Sequence, residues 1–198
     1  MITETRDSGK KYLTVLADGK FHQTVPEGTE GAVIREYEDK DEQKKTKTEL
    51  IFDSVSGSIS NISFEDGDFG KNLNIELDGD GVVSLGTSSS FGEDLMKKLP
   101  NINLSKPIKL SPYAFTAEGK SRKGITVYQD DEKIESYYFD KDKGVAVNGI
   151  PQPQGDTTKY DSDDWKMHFM TVRKFLIKEV EKLIGVSDVE PAVSLDDF

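Results

Sequence analysis

Residues 58–100 read SISNISFEDGDFGKNLNIELDGDGVVSLGTSSSFGEDLMKKLP, and the order of elements in this stretch decides the fold. Lys71 to Leu77 alternates, placing Leu73, Ile75 and Leu77 on one face and Asn72, Asn74 and Glu76 on the other, the period-two pattern of a half-buried strand. Ser58 to Phe64 is the strand before it, with Asp66-Gly67 marking the turn, and a Gly-Asp-Gly turn at 79–81 leads into Val82-Val83-Ser84-Leu85. The pattern then becomes helical. Ser90 is placed to cap the helix and Glu93 to complete a capping box, while Phe91, Leu95 and Leu99 share one face. Lys97 and Lys98 occupy the last turn, where the helix dipole favours cations, and Pro100 prevents continuation.

Strands resume over Pro107 to Thr116, Gly124 to Gln129 and Ile134 to Phe139, with Asp130-Asp131-Glu132 in the last turn. Three strands, a short helix and two or three further strands is the element order of an OB-fold, a five-stranded Greek-key barrel with its helix between the third and fourth strands. The same order fits other antiparallel β structures that carry a helix. The fold class expected is mostly β: an OB-fold-like Greek-key barrel with extra N-terminal β-hairpins, one short helix between strands and a long C-terminal helix.

The flanks add to this core. Tyr12 to Leu16, Phe21 to Val25, Gly31 to Tyr37 and Glu49 to Phe52 read as strands of hairpins, the first pair joined by a turn at Asp18-Gly19. Between the last two runs, EDKDEQKKTKTE (38–49) is so charged that it is expected to bury nothing and to form an exposed hairpin tip. Residues 140–160 are rich in Gly, Pro, Lys and Asp and read as a loop. A helix follows from Ser162 to Ile184, with Asp163 and Asp164 in its first turn and Gly185 suited to its C-terminal cap. Trp165, Phe169, Val172, Leu176, Val180 and Leu183 form its apolar stripe, which must dock on something. The organisation expected is therefore a β-barrel domain over 1–160, an amphipathic helix over 161–184 and a disordered acidic tail over 185–198.

Composition excludes several classes of chemistry. The chain has 198 residues and no cysteine, which removes disulfides, thiolate metal sites and cysteine nucleophiles. Its two histidines, His22 and His168, are far apart in sequence and do not make a zinc centre. Asp66-Gly67-Asp68 and Asp78-Gly79-Asp80-Gly81 suggest calcium, but Val82 and Val83 follow where an EF-hand needs further oxygen donors, so these read as hairpin turns. No phosphate-binding Gly-Lys-Ser/Thr loop and no Gly-x-Ser-x-Gly elbow is present. The expectation is a protein that is not an enzyme and holds no cofactor or metal. The N-terminus lacks the apolar stretch of a signal peptide and no apolar run approaches bilayer length, so a cytoplasmic protein with no membrane partner is expected.

The formal net charge of −11 argues against a phosphate-rich partner unless a local basic patch provides for it. Such a patch is legible. Tyr113 and Phe115 alternate onto one face of a strand, Tyr128 and Tyr137 lie on the following two, and Phe69 stands at the entrance to an earlier one. Around them are Lys71, Lys106, Lys109, Lys120, Arg122 and Lys123. Single-stranded nucleic acid is held in this way, by aromatic faces that stack bases and cations that follow the backbone. Aromatics also dominate β cores, so each of these rings has a core reading beside the binding one. The candidate nucleic-acid contacts are Phe69, Lys71, Tyr113, Phe115, Lys120, Arg122, Lys123, Tyr128 and Tyr137. The tail ends Ser194-Leu195-Asp196-Asp197-Phe198. A partner pocket with an apolar floor and a basic rim would take Leu195, Asp196, Asp197 and Phe198 as a unit.

The stretch from Ile59 to Phe115, continued by GITVYQD, together with the ending Asp196-Asp197-Phe198, resembles bacterial and phage single-stranded DNA-binding proteins. The resemblance covers roughly residues 57–139 and the tail. It implies an OB-fold, binding of single-stranded DNA without sequence preference in phage-type replication, recombination and repair, and a tail that recruits replication or repair proteins and competes with DNA for the groove. For a phage-encoded chain it places the protein in the host cytoplasm. The acidic body and the single Trp165, on the C-terminal helix, depart from the family pattern. Two other readings stand beside it: an acidic mimic of DNA that inhibits a host nuclease or regulator, which fits the charge, and a virion or assembly component in which the hairpins and the helix stripe are subunit contacts. The sequence leaves the oligomeric state open, a homodimer among the options.

Overall fold

The computed structural model describes residues 9–38, 42–67 and 70–187. Two hairpins open the chain: β1 (Lys11–Val15) with β2 (Phe21–Thr24), and β3 (Val33–Glu38) with β4 (Lys44–Phe52). A bent strand follows as β5 (Val55–Gly57) and β6 (Ile59–Gly67), then β7 (Gly70–Leu77) and β8 (Gly81–Gly86). Helix α1 (Ser90–Lys98) runs into a 3-10 turn at Leu99–Asn101. After it come β9 (Ile108–Ala117), β10 (Lys120–Gln129) and the short β11 (Glu132–Ile134). A small hairpin of β12 (Phe139–Asp140) and β13 (Val145–Ala146) precedes the long helix α2 (Ser162–Ser187).

The chain is mostly β, with one short helix between strands and a long helix at its C-terminal end. The strands do not close into a barrel. They form a seven-stranded sheet in the order β3-β4-β2-β1-β8-β7-β6 and a four-stranded sheet in the order β11-β10-β9-β5. Closure would require β8 to pair with β10, and both edges are taken. β1 lies parallel against β8, with Tyr12 opposite Val82 and Leu13 opposite Val83. On β10, the Ile125 N–H donates to Asp94 Oδ2 at 2.8 Å and the Ile125 carbonyl accepts from Lys98 Nζ. Both partners come from α1, so a helix stands where the closing strand would be.

The two sheets are joined at the bend between β5 and β6. The Ser58 N–H donates to Asp78 Oδ1 at 2.8 Å and its carbonyl accepts from the Asp78 N–H at 2.9 Å. A Cβ on Gly57 would lie 2.6 Å from Asp78 Oδ2, so a larger residue would have to displace the carboxylate that holds the corner. Between the sheets Phe21, Leu73, Ile75, Val83, Leu95, Leu99, Leu110, Ile125 and Val127 are fully buried in one core, which Val172, Leu176 and Val180 of α2 complete. The stripe on α2 docks only from Val172 onward. At its exposed end Trp165 stacks on Phe169 (5.7 Å between ring centroids) and meets the Tyr160 ring edge-on (5.1 Å).

Four local expectations are corrected. The cap of α1 is Ser89, not Ser90: Ser89 Oγ accepts from the Gly92 N–H at 3.0 Å, and Glu93 pairs with Lys97 instead of closing a capping box. Residues 134–139 are not one strand; β11 ends at Ile134 and Phe139 belongs to the next hairpin. Gly185 does not stop α2, which continues to Ser187 with no proline to break it before Pro191. The charged run 38–49 does lie at an exposed hairpin end, with residues 42–47 exposed and Glu38 opposite Lys44, but it does not bury nothing, since Glu49 at its close is buried.

Glu49 is buried because its carboxylate has partners. Arg35 donates to it from Nε (2.7 Å) and Nη2 (2.8 Å), and His22 Nδ1 lies 3.0 Å from Oε2, with His22 Nε2 3.0 Å from Asp18 Oδ2. The Arg35 bonds, aided by His22 and opposed by burial, hold the Glu49 carboxyl from its usual 4.5 down to about 2. A carboxyl depressed in the folded state stabilises above its unfolded pKa and loses that contribution as pH falls through the folded one. The window is therefore about 4.5 to 2, and the contribution is on the order of 3 kcal/mol. We predict that Glu49→Gln lowers the urea midpoint at pH 7 and that its midpoint falls less than the parent's between pH 5 and 3. Parallel loss in both proteins would remove Glu49 from the acid response.

Candidate nucleic-acid interface

The interface is built on the β9–β10 ribbon. Its turn, Glu118-Gly119, has φ of +52° and +72°, the left-handed pair that a two-residue hairpin demands. The turn fixes the register, with Ala117 opposite Lys120, Phe115 opposite Arg122, Tyr113 opposite Gly124, Ser111 opposite Thr126 and Lys109 opposite Tyr128. Alternation does the rest. Ile108, Leu110, Ile125 and Val127 point into the core, so the residues just paired share the other face, which looks outward.

On that face Phe115 is 55% exposed and Tyr128 37% exposed, and Lys109, Lys120 and Arg122 are exposed. Tyr113 is half-buried because its cross-strand partner has no side chain. A Cβ on Gly124 would fall 2.5 Å from Tyr113 Oη and 2.4 Å from Asp94 Oδ2. The Tyr113 ring therefore lies down over Gly124 and stands 5.8 Å from the Phe115 ring, tilted by 37°. Burial, then the Asp94 carboxylate, raise the Tyr113 hydroxyl above the usual phenol range, and the Arg122 guanidinium pulls the other way. Ser56, Lys109, Ser111, Tyr113, Thr126 and Tyr128 line an open groove of about 530 Å³ along this face, which ends at Asp130 and Asp131.

Several lysines around the ribbon are neutralised, whereas those on it are not. Lys97, Lys98, Lys106 and Lys182 are each held by a neighbouring carboxylate. Among the described residues Lys109, Lys120, Arg122 and Lys123 form no ion pair. These unpaired cations stand around the exposed rings, and an anion that runs along the outer face of the ribbon would meet Lys109, Lys120 and Arg122.

The structure thus brings together Tyr113, Phe115, Lys120, Arg122 and Tyr128. Strand parity sets Lys123 on the opposite side to Arg122, though both reach a second, shallower groove bordered by Ser90 and Tyr113. Two candidates lie elsewhere. Lys71 faces α2, with Nζ 3.8 Å from Glu181 and 5.8 Å from the centre of the Phe64 ring. Tyr137 lines a separate groove with Pro100, Tyr138 and Leu183, because the segment after β11 turns back along α1 and α2. Phe69 and the tail residues Leu195, Asp196, Asp197 and Phe198 lie outside the described residues. Ser56, on the floor of the groove, was not legible, since a three-residue strand carries no periodic signal. Lys109 was, because Ile108-Lys109-Leu110 alternates cleanly.

Among the described residues no group of three or more acidic or histidine side chains is placed to hold a metal ion, and no helix is long and apolar enough to cross a membrane. No family model, curated protein or solved structure matches this chain. What the geometry defines is a class of surface: an exposed β ribbon with aromatic rings flanked by unpaired cations.

Gly124 is the position on which that surface turns. Gly124→Ala forces the Tyr113 ring up and strains the Asp94–Ile125 contact, and we predict a loss of about 1–3 kcal/mol. Urea denaturation checks the loss, and tyrosine quenching by iodide checks the exposure of Tyr113. Unchanged stability with unchanged quenching would show that the ring is not held by the missing side chain.

Proposed function

We propose that the protein binds single-stranded DNA without sequence preference, in replication, recombination or repair, through the outer face of the β9–β10 ribbon. The observation that carries the reading is the cross-strand arrangement of Phe115 opposite Arg122 with the tilted Tyr113 ring beside them, on a face where Lys109, Lys120 and Arg122 form no ion pair among the described residues. Bases stack on Phe115, Tyr113 and Tyr128, and Lys109, Lys120 and Arg122 follow the phosphates. Stacking on an aromatic side chain tolerates any base, which accounts for the absence of sequence preference. The acidic tail recruits replication or repair proteins and competes with DNA for the cationic ribbon.

A second reading rests on the net charge of −11: an acidic decoy that occupies the DNA site of another protein. It requires no DNA affinity at low salt.

Fluorescence anisotropy of a labelled single-stranded oligonucleotide across a salt titration tests both. Phe115→Ala is expected to weaken binding by about 1–3 kcal/mol, roughly ten- to hundredfold. Lys120→Ala with Arg122→Ala lowers the log–log salt slope by about 1.4, at about 0.7 per phosphate contact on a single strand. Truncation after Ser187 tightens binding at low salt. An absence of binding by both the full and the truncated chain at low salt would overturn the proposal and leave the decoy reading standing.

A further inference from the structure

The β3–β4 arm sorts its charges by strand parity. Arg35 and Tyr37 of β3 pair with Lys47 and Lys45 of β4, on the sheet face opposite to the buried Phe21. Glu36 and Glu38 take the other face. The exposed part of a run that is nearly balanced in charge thereby puts Arg35, Lys45 and Lys47 with an aromatic ring on one side and Glu36 and Glu38 on the other, where Lys44 stands opposite Glu38.

The basic side holds two like charges directly across the strands, Arg35 and Lys47, which costs stability unless opposite charge lies over them. Glu49 satisfies Arg35 with two bonds and fixes its guanidinium. Lys47 has no carboxylate partner among the described residues; its ammonium lies 5.1 Å from the centre of the Tyr37 ring, which Arg35 approaches at 5.4 Å. The ring is thus held between one fixed cation, Arg35, and one unpaired among the described residues, Lys47. A phosphodiester backbone provides both the missing negative charge and bases for the ring.

The arm is rooted beside the ribbon. Gly19, in the β1–β2 turn at φ +74°, presses on β9 so closely that a Cβ there would lie 2.3 Å from the Ala114 nitrogen. From Phe52, opposite Phe21 at the end of that hairpin, β4 runs to Lys45 over roughly 24 Å, the length of about seven stacked nucleotides.

We infer that the Arg35–Tyr37–Lys45–Lys47 face is a second contact for the single strand that the ribbon binds, engaged only by strands long enough to leave the ribbon. The inference rests on the DNA-binding reading given above. Its test compares the full chain with Lys45→Ala/Lys47→Ala, using oligothymidylates of about five and about twenty nucleotides, near the bottom of and beyond the ~4–16 nucleotide range of one OB-type site. The long strand is expected to bind the variant about tenfold more weakly, with a salt slope lower by about 1.4, and the short strand to bind both proteins alike. Tyr37→Ala gives the same split between lengths, and thermal melting of each variant shows that the fold is kept. Unchanged affinity and slope on the long strand would overturn the inference. So would equal weakening on both lengths, which would place the effect on the ribbon or the fold. A parent chain that binds neither length would instead overturn the DNA-binding reading, and this inference with it.

Discussion

Lys98 is buried, yet it is a lysine. Its ammonium lies 2.8 Å from Asp94 Oδ2 and donates to the Ile125 carbonyl, while the same Asp94 oxygen accepts from the Ile125 N–H. A charge taken out of water is tolerated only when paired and hydrogen-bonded, and breaking such a pair from one side costs about 3–5 kcal/mol. Here the pair does the work of a strand. It satisfies the edge of β10, so the edge needs no β8, and β8 is left for β1. The open arrangement of the two sheets goes with that substitution of a helix side-chain pair for a backbone ladder at Ile125.

Most of the central elements were legible because each was specified locally. The alternation of Leu73, Ile75 and Leu77, the left-handed pairs at Asp78-Gly79 and Glu118-Gly119, and the Lys97-Lys98-Pro100 ending of α1 are short-range signals, and the structure has these elements in these places. What the residues do not encode locally is which edges meet. Parallel pairing of β1 with β8 joins residues about seventy apart, and nothing in Tyr12-Leu13 distinguishes a parallel partner from an antiparallel one. The same limit explains Glu49. In a run of charges it looks solvated, and only the arrival of Arg35 and His22 from two other strands makes burial affordable. At the ribbon, alternation within one strand identified Tyr113 and Phe115 as neighbours and Arg122 was read only as one of the cations around them, whereas Lys71 and Tyr137 needed knowledge of where α2 packs.

The molecule reconciles an acidic composition with cationic surfaces through geometry. A strand has a side-chain period of two, so a sequence that alternates acid and base need not present a mixed surface; it presents two faces of opposite sign. The arm does this with Arg35 and Tyr37 against Glu36 and Glu38. The ribbon does it differently, by drawing carboxylates toward other lysines and leaving Lys109, Lys120 and Arg122 unpaired among the described residues. Net charge describes the field at a distance, while the charge that a bound chain meets is set by which face it lies on.

The parallel contact between β1 and β8 also bears on the order in which the chain is made. β1 leaves the ribosome well before its inner neighbour, which is complete only after Gly86 has been added, and at about 5–20 residues per second that is a wait of several seconds. During the wait the first hairpin carries an open row of backbone groups, and Phe21 has no core to enter. Contacts that span so much sequence are slow to form. The nascent N-terminal hairpins are therefore the part of this protein most in need of protection before the meander of β6, β7 and β8 arrives to receive them.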